Sequence, residues 1–214
     1  MQEIRKQIYK KMKRIIALTG IKSEYDILYP LLKDLVKNKF NLKVVVSGAH
    51  LSKSHGETWK MITKDRFNII GKIKSLPFTD KLIQRPKSIS LLIKGFSQII
   101  EKENPDFILV VGDREEAISA AIVGNYMKKI VIHIGGGDEA YGNSDDPIRF
   151  AISKLVHLHC CTSKFSYNNL IKIGEEKFRI FNTGNPYFVN INNTQIINKK
   201  KLLKLLKIEK KFTD

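Results

Sequence analysis

Short apolar runs alternate along the chain with longer segments in which apolar residues recur at helical spacing. Apolar runs this short, bounded by glycine, proline or polar residues, predict strands that are buried on both faces, as in a parallel sheet. The predicted strands cover residues 14–19, 42–47, 67–73, 107–111, 130–134, 158–162 and 178–182.

The segments between these runs predict helices over residues 24–38, 58–65, 89–104, 115–127, 148–156, 164–173 and 199–208. Pro30 is expected only near the first turn of its helix, because proline lacks an N–H donor. Asp145 and Pro147 predict a helix start, since acids cap helix N-termini and proline fits the first turn. Strands alternating with helices predict an α/β, Rossmann-like three-layer domain with a parallel sheet.

The domain organisation follows from where these elements begin and end. Residues 13–190 are expected to form the Rossmann-like domain, preceded by a charged extension over residues 1–12. Residues 191–214 are expected to form a linker that contains the basic carboxyl-terminal helix. A chain of 214 residues is long enough to bury a substantial core.

The net charge of +17 raises the question of a nucleic-acid partner. Residues 1–14 and 195–214 each contribute +5, and the remaining charge is spread without a dense stripe. A nucleic-acid face would instead combine arginines with aromatic residues on one element. We therefore expect no nucleic-acid partner.

Membrane and redox signals also narrow the class of protein. No apolar run approaches the ~20 residues of a membrane span, and the N-terminus lacks the apolar stretch of a signal peptide. Cys160 and Cys161 are adjacent, so on a strand they point to opposite faces and do not suit a disulfide or a metal clamp. The sequence predicts a cytoplasmic protein without a membrane partner.

Polar residues after the predicted strands are the candidates for chemistry, because ligands of open α/β sheets lie outside the carboxyl ends of the strands. After the first strand, residues 19–24 combine a glycine turn with a helix start and Lys22, an arrangement that can hold a phosphate. A plain tight turn explains this segment equally well. It matches neither GxGxxG nor a P-loop, which removes support for dinucleotide or ATP binding.

Asp113 and Arg114 follow the fourth strand. They can form a charge pair that fixes the start of the next helix, or Asp113 can act on a substrate proton. Both interpretations stay open at this point.

Three glycines at 135–137 and Asp138 follow the fifth strand, and Asp145, Asp146 and Arg149 come soon after. Glycine lets backbone approach a ligand closely because no Cβ intervenes. Neighbouring carboxylates suit acid/base chemistry, in which one group takes a proton and another gives one. A solvated acidic loop with a helix cap is the alternative, but it leaves the glycines unexplained.

A metal site built from carboxylates is a further alternative for the acids at 138–146, but the histidines do not have the spacing of metal ligands, so we expect no metal. His133, His157 and His159 are predicted to be packed strand residues. His50 and His55 lie in a polar loop that can fold over the strand ends.

Taken together, the strand-end segments resemble the hydrolysing UDP-N-acetylglucosamine 2-epimerases of sialic-acid-type sugar biosynthesis. The segments that carry the resemblance are TGIKSEYD at 19–26, SGAHLS at 47–52, GET at 56–58, GDREEA at 112–117, HIGGGD at 133–138, GNSDDPIR at 142–149, KLVHLH at 154–159 and NTGNP at 182–186. They run in one order from about residue 13 to the end of the chain.

The resemblance implies a GT-B arrangement of two Rossmann-like domains with the substrate between them, of which this chain is similar to the N-terminal half. It implies conversion of UDP-N-acetylglucosamine and water into UDP and N-acetylmannosamine, by anti elimination of UDP and hydration of a 2-acetamidoglucal. It implies no cofactor.

The resemblance also implies roles for individual residues. Asp113, Asp138 (a glutamate in many relatives) and Asp145 or Asp146 would be the acid/base carboxylates, and Lys22 would face the nucleotide phosphates. The substrate contacts implied are Lys22, Glu24, His50, Arg114, Gly136, Gly137 and Arg149.

The chain departs from the family pattern in three respects. Lys22 stands where the family usually has arginine, which replaces a two-pronged donor with a point charge. Phe150 stands where histidine is usual, and the chain ends about where the second domain would begin.

These departures leave three hypotheses. The chain is an epimerase half completed by a separate second-domain chain or a homo-oligomer, an inactive fragment or sugar-nucleotide-binding module, or half of a split GT-B glycosyltransferase.

Overall fold

The computed structural model describes residues 13–76, 81–139, 145–192 and 197–207, so the predicted extension lies outside the described residues. Seven strands form one parallel sheet in the order β3-β2-β1-β4-β5-β6-β7. The strands are β1 (Arg14–Thr19), β2 (Asn41–Ser47), β3 (Ile69–Ile73), β4 (Phe107–Val111), β5 (Ile130–Ile134), β6 (Leu158–Cys161) and β7 (Ile180–Asn182). The predicted α/β class with a parallel sheet is confirmed.

Helices cover the sheet and bury two cores, one on each face, since successive side chains of a strand point to opposite sides. Ile16 and Val110 belong to one core, and Ala17 and Val111 belong to the other. The helices are α1 (Lys22–Lys37), α2 (Trp59–Lys64), α3 (Gln84–Glu103), α4 (Glu115–Tyr126), α5 (Asp145–Leu155), α6 (Lys164–Lys172), α7 (Tyr187–Asn192) and α8 (Lys199–Leu205).

Two helix predictions need correction, and one helix was missed. Helix α3 begins at Gln84 rather than residue 89, because Pro86 sits in its first turn, where a missing N–H costs nothing. Pro30 lies well inside α1, not near its first turn, and is itself buried. Helix α7 was not predicted, and the expected domain limit at residue 190 falls inside it.

The strand of adjacent cysteines behaves as expected. Cys160 packs against the core beneath α1, whereas Cys161 is buried in a small cluster with Leu170 and Ile180. Both thiols are free. In the described ranges, no helix is both long enough and apolar enough to cross a membrane.

The strand order reverses between β1 and β4, because the chain first builds outward to β3 and then returns to the other side of β1. A reversal of this kind opens a crevice at the carboxyl ends of the strands. The segments that follow β4 and β5 therefore face the start of α1.

Candidate active site

A crevice of about 230 Å³ lies at this switch point. Its walls come from the start of α1, from the segments after β4, β5, β6 and β7, and from α5. The lining residues are Ser23, Glu24, Ile27, Val111, Gly112, Asp113, Arg114, Ile134, Gly135, Asp138, Arg149, Thr162 and Asn185. The structure thus brings together four charged residues that the sequence predicted for the site, namely Asp113, Arg114, Asp138 and Arg149.

Arg149 holds two of the predicted carboxylates on one side of this crevice. Its Nη2 donates to Asp113 Oδ2, and its Nη1 lies 3.9 Å from Asp138 Oδ2. Nη1 also donates to the carbonyl of Gly135 at 2.9 Å. The guanidinium therefore joins the ends of β4 and β5, and it is itself only 13% exposed.

Asp138 is fixed from its other side by hydroxyl groups. Thr162 Oγ1 donates to Asp138 Oδ1 at 2.7 Å, and Ser166 Oγ donates to the same oxygen. Thr162 directly follows β6, and Ser166 lies in the first turn of α6. Asp138 Oδ2 is left facing Arg149 and the crevice.

The three glycines have different environments. Gly135 lines the crevice with φ +82°, so backbone approaches the ligand space there, as the sequence suggested. Gly136 and Gly137 are buried behind it, where an added Cβ would lie 3.0 Å from His133 Nδ1 and 2.2 Å from the Ser166 carbonyl oxygen, respectively. Packing against β5 and α6 therefore explains these two glycines, and their contact with substrate stays a prediction.

His133 holds the turn after β4. Its ring is fully buried, and Nε2 lies 2.6 Å from the Gly112 carbonyl oxygen, which can only accept. Burial lowers the pKa of His133 to about 4, so the neutral ring donates from Nε2. His133 is a packed strand residue, as predicted.

A second grouping of two carboxyls and an arginine borders the crevice at α1. Glu24 Oε2 accepts from the Gly20 N–H at 2.7 Å, and Arg114 Nε lies 4.0 Å from Glu24 Oε1 and 3.8 Å from Glu116 Oε2. Burial, followed by repulsion from Glu116, raises the pKa of Glu24 from 4.5 to about 8. Burial also raises the pKa of Glu116, against the lowering effects of the Ser47 hydroxyl and Arg114.

Two other predicted contacts are placed away from the crevice. Lys22 lies on the outer surface of α1, where it pairs with Asp26 and is 49% exposed. His50 is completely buried, with Nε2 3.1 Å from Thr19 Oγ1 and Nδ1 2.7 Å from Thr58 Oγ1. Burial lowers the pKa of His50 to about 4, so this ring is a neutral structural link in the structure.

Asp145 and Asp146 begin α5, the helix that carries Arg149, which confirms the predicted helix start. Asp146 is partly buried and does not belong to the crevice lining given above. Of Asp145, only the backbone position is described.

Sequence reasoning missed Thr162, Asn185 and Glu116. Thr162 is the last residue of a predicted strand and Asn185 follows the next one, so the strand-end rule that selected Asp113 could have found both. Glu116 carried no such signal, because an acid in the first turn of a helix is ordinarily explained by the helix dipole.

Comparison with known proteins identifies the family. Residues 33–213 match the family model described as UDP-N-acetylglucosamine 2-epimerase. The chain is 35% identical over 198 residues to a GDP/UDP-N,N'-diacetylbacillosamine 2-epimerase (hydrolyzing) of Campylobacter jejuni, covering 92% of this chain and 51% of that protein. It is 32% identical over 178 residues to a UDP-N-acetylglucosamine 2-epimerase of Neisseria meningitidis, covering 82% and 46%, respectively. The chain spans about half the length of the curated relatives it matches.

The fold is shared with solved structures of similar proteins. A crystal structure of the Neisseria meningitidis UDP-GlcNAc 2-epimerase bound to UDP-GlcNAc superposes with a TM-score of 0.74 at 20% identity, covering 90% of this chain and 53% of that one. The predicted likeness to the N-terminal half of a GT-B fold is confirmed. Because the family model matches most of its length, this chain belongs to the UDP-N-acetylglucosamine 2-epimerase family.

Proposed function

We propose that this chain is the carboxylate-bearing half of a hydrolysing UDP-N-acetylglucosamine 2-epimerase, which converts UDP-N-acetylglucosamine and water into UDP and N-acetylmannosamine. The observation that carries the proposal is the crevice in which Arg149 holds Asp113 and Asp138 at the ends of β4 and β5. Two carboxylates on one ligand space are what proton transfer at neighbouring sugar atoms requires.

The reaction has two stages. In the first, a carboxylate takes the proton from C2, the C1–O bond breaks, and its electron pair leaves with UDP. In the second, water adds across the resulting C1–C2 double bond, its oxygen bonding C1 while C2 receives a proton on the opposite face. Asp113 and Asp138 are the proposed proton carriers, and Asp145 or Asp146 is proposed as a third acid at the start of α5.

The chain's remaining polar groups are proposed to bind and orient the nucleotide sugar. Arg114 supplies a cation to the diphosphate from the crevice wall, and the backbone at Gly135 lets the sugar approach closely. Lys22 is proposed to turn from Asp26 toward a bound phosphate. His50 is proposed to act through Thr19, since its ring is buried.

The proposed partner is a second domain, in the same polypeptide, in a separate chain or in another subunit, that completes the nucleotide site. The support is that this chain aligns with about half of each curated relative. Cytoplasmic localisation is part of the proposal, and two adjacent free cysteines support it because free thiols persist in reducing compartments.

A second candidate substrate is UDP-N,N'-diacetylbacillosamine. The observation that favours it is the 35% identity to the Campylobacter jejuni relative, against 32% to the Neisseria meningitidis protein. The two sugars carry different groups at C4 and C6, but both have the C2 proton and the C1 leaving group that the crevice chemistry needs.

The experiment mixes the purified chain with a separately expressed second domain of the Campylobacter jejuni relative and supplies either nucleotide sugar. We expect UDP release and formation of the 2-epimer sugar from one of them. Asp113→Asn should reduce turnover by at least ~100-fold, the usual scale for a proton-transfer group. Unchanged turnover in Asp113→Asn would remove Asp113 from the mechanism, and silence with both sugars from a folded pair would remove the proposal.

A further inference from the structure

The carboxylate of Asp138 receives both of its hydroxyl donors on one oxygen. Thr162 Oγ1 donates to Oδ1 at 2.7 Å, and Ser166 Oγ donates to the same Oδ1. The Asp138 side chain is 31% exposed, so water alone could satisfy this carboxylate. Two protein donors on a single oxygen therefore fix the direction of the carboxylate as well as satisfying its charge.

The hydroxyl of Ser166 is itself held from behind. Ser166 has one hydroxyl hydrogen and gives it to Asp138, so the Ser163 hydroxyl, 2.7 Å away, donates to Ser166 Oγ. Ser163 Oγ in turn accepts from the Ser166 N–H at 3.1 Å, as the N-cap of α6. The donor to Asp138 therefore belongs to a chain of hydrogen bonds that starts at the end of a helix.

Helix α6 also anchors the backbone on both sides of Asp138. Asn169 follows Ser166 by three residues and so lies on the same face of the helix. Its Nδ2 donates to the Gly137 carbonyl at 3.0 Å and to Glu139 Oε1 at 3.0 Å. Gly137 permits this close approach, because an added Cβ would lie 2.2 Å from the Ser166 carbonyl oxygen. The position of Asp138 over α6 is thus fixed independently of its carboxylate.

The second donor comes from the sheet. Thr162 directly follows β6, and the Gly135 N–H donates to the Cys160 carbonyl at 3.1 Å, which continues the pairing of β5 with β6 beyond Ile134. Thr162 lines the crevice, whereas Ser166 is only 2% exposed. A sheet residue and a helix residue therefore meet at the same oxygen of Asp138.

This arrangement decides which oxygen of Asp138 can exchange a proton. A proton on Oδ1 would face two hydroxyl hydrogens, so a proton on this side chain sits on Oδ2. Oδ2 lies 3.9 Å from Arg149 Nη1 and 3.5 Å from the point where Gly135, which lines the crevice, would carry a Cβ. Oδ2 is therefore the oxygen on the side of the ligand space.

We propose that Thr162 and Ser166 are positioning residues that hold Asp138 Oδ1 and reserve Oδ2 for proton exchange with the nucleotide sugar. This inference rests on the proposed function, in which Asp138 is a proton carrier. Misplacing a reacting group by ~1 Å can cost ~100-fold in rate, so two donors that fix a carboxylate have a large effect on turnover.

The first test compares kcat and KM of the reconstituted pair with UDP-N-acetylglucosamine. Thr162→Val keeps the shape of the side chain and removes the hydroxyl, and Ser166→Ala removes the other donor. Each should lower kcat at least ~10-fold and leave KM unchanged, because the lost contact is to Asp138 and not to substrate. Thr162→Ser keeps the hydroxyl and should restore kcat. A raised KM with unchanged kcat in Thr162→Val would make Thr162 a substrate contact and overturn the proposal.

Ser88→Ala is the matched control for loss of a buried hydroxyl. Ser88 is 5% exposed, and its Oγ donates to the Ser75 carbonyl at 2.6 Å, on α3 and away from the crevice lining. Both serine variants should lose stability, but only Ser166→Ala should lose kcat per folded molecule. Equal changes of kcat in the two variants would show that Ser166 acts through stability alone.

The second test needs no activity. Three-bond NMR couplings from the backbone nitrogen and carbonyl carbon to Asp138 Cγ report the χ1 angle of this side chain in the full chain. The wild type should show one staggered rotamer, and Thr162→Val combined with Ser166→Ala should show averaging over several. If the double variant does not fold, Thr162→Val alone, at the crevice surface, should already show averaging. Averaged couplings in the wild type, or unchanged couplings in the folded variants, would overturn the proposal.

The two tests separate this proposal from the proposed function. An active wild-type pair whose kcat is unaffected by Thr162→Val and Ser166→Ala would contradict the positioning role and leave the proposed function standing. A wild-type pair without turnover would count against the proposed function, and the χ1 couplings would then decide whether the two hydroxyls fix Asp138.

Discussion

Two arginines border the crevice, and each faces two carboxyl groups, but the two groupings are buried in opposite ways. Arg149 is 13% exposed while its partners Asp113 and Asp138 are 17% and 31% exposed. Arg114 is 43% exposed while Glu24 and Glu116 are 7% and 5% exposed. One arginine with two acids therefore gives two partly exposed acids at the ligand space in one case, and in the other a buried acid, Glu24, whose pKa is raised to about 8. Access to water, rather than the number of charges, separates the groupings.

The largest expected effect comes from removing Arg149. Arg149→Met leaves Asp113 without its cation and the Gly135 carbonyl without its donor. We expect the free energy of unfolding to fall by about 3 kcal/mol, the usual cost of a partly buried charge left unpaired. Turnover of the reconstituted enzyme should fall by at least ~100-fold, as for loss of a catalytic group.

The matched control for this prediction is Arg179→Met. Arg179 pairs with the buried Glu175 away from the crevice, so this variant should also lose stability. Turnover per folded molecule should stay near the wild-type value in Arg179→Met, whereas it should fall in Arg149→Met. Equal losses in both variants would show that Arg149 acts through stability alone.

The next effect concerns the dependence of stability on pH. The pKa of Glu24 is raised from 4.5 in the unfolded chain to about 8 in the folded one, so the folded state keeps a proton that the unfolded state releases between these values. The stability that this proton gives is fully present below pH 4.5 and is lost as pH rises toward 8. The slope should approach about 1.4 kcal/mol per pH unit.

Glu24→Gln should remove this contribution. Denaturant unfolding of the variant and the wild type across that pH range should give a difference in free energy that grows with pH in favour of the variant. A constant difference would mean that Glu24 is ionised in the folded state.

A smaller effect is expected from filling the space that Gly20 leaves for the Glu116 side chain. Gly20→Ala would place a Cβ 2.0 Å from Glu116 Oε1, so the carboxylate must move. The free energy of unfolding should fall by about 1–3 kcal/mol, as for other overpacked sites. In a Glu116→Ala background, Gly20→Ala should cost less stability, because the clashing carboxylate is gone. Additive losses of stability in the double variant would show that Gly20 and Glu116 do not compete for the same space.

The smallest stability effect is expected at Lys22. Its pair with Asp26 is solvent-exposed, with side chains 49% and 31% exposed. Exposed pairs of this type contribute about 0.5 kcal/mol or less, so Lys22→Ala should leave thermal unfolding almost unchanged. If Lys22 reaches a bound phosphate, UDP binding should weaken in Lys22→Ala and recover in Lys22→Arg.

Much of the fold could be predicted because its strands are buried on both sides. The bounds of β1, β4 and β5 match the apolar runs residue for residue, since burial of both faces makes the whole strand apolar. Helix α7 was missed because six residues are too short for helical spacing to be visible. The start of α3 was missed because Pro86, a residue type typical of loops, occupies its first turn.

The candidate site was predictable where residues follow strands and hidden where contacts depend on packing. Asp113 and Asp138 follow β4 and β5, and the structure brings both to Arg149. Burial of His50 by Thr19 and Thr58 depends on how the segment after β2 folds back, which local sequence does not encode. The buried position of Glu116 could be identified only from the structure, in which Gly20 and Gly48 leave space for its side chain.

The most direct test of the elimination and hydration chemistry is to run the reaction in D₂O with the reconstituted pair and UDP-N-acetylglucosamine. If a crevice carboxylate removes the C2 proton and a solvent-exchanged acid returns one, the N-acetylmannosamine formed should carry a single deuterium at C2, and Asp113→Asn should form almost none. N-acetylmannosamine that keeps its original C2 proton would contradict proton removal at C2, and with it the role assigned to Asp113 and Asp138.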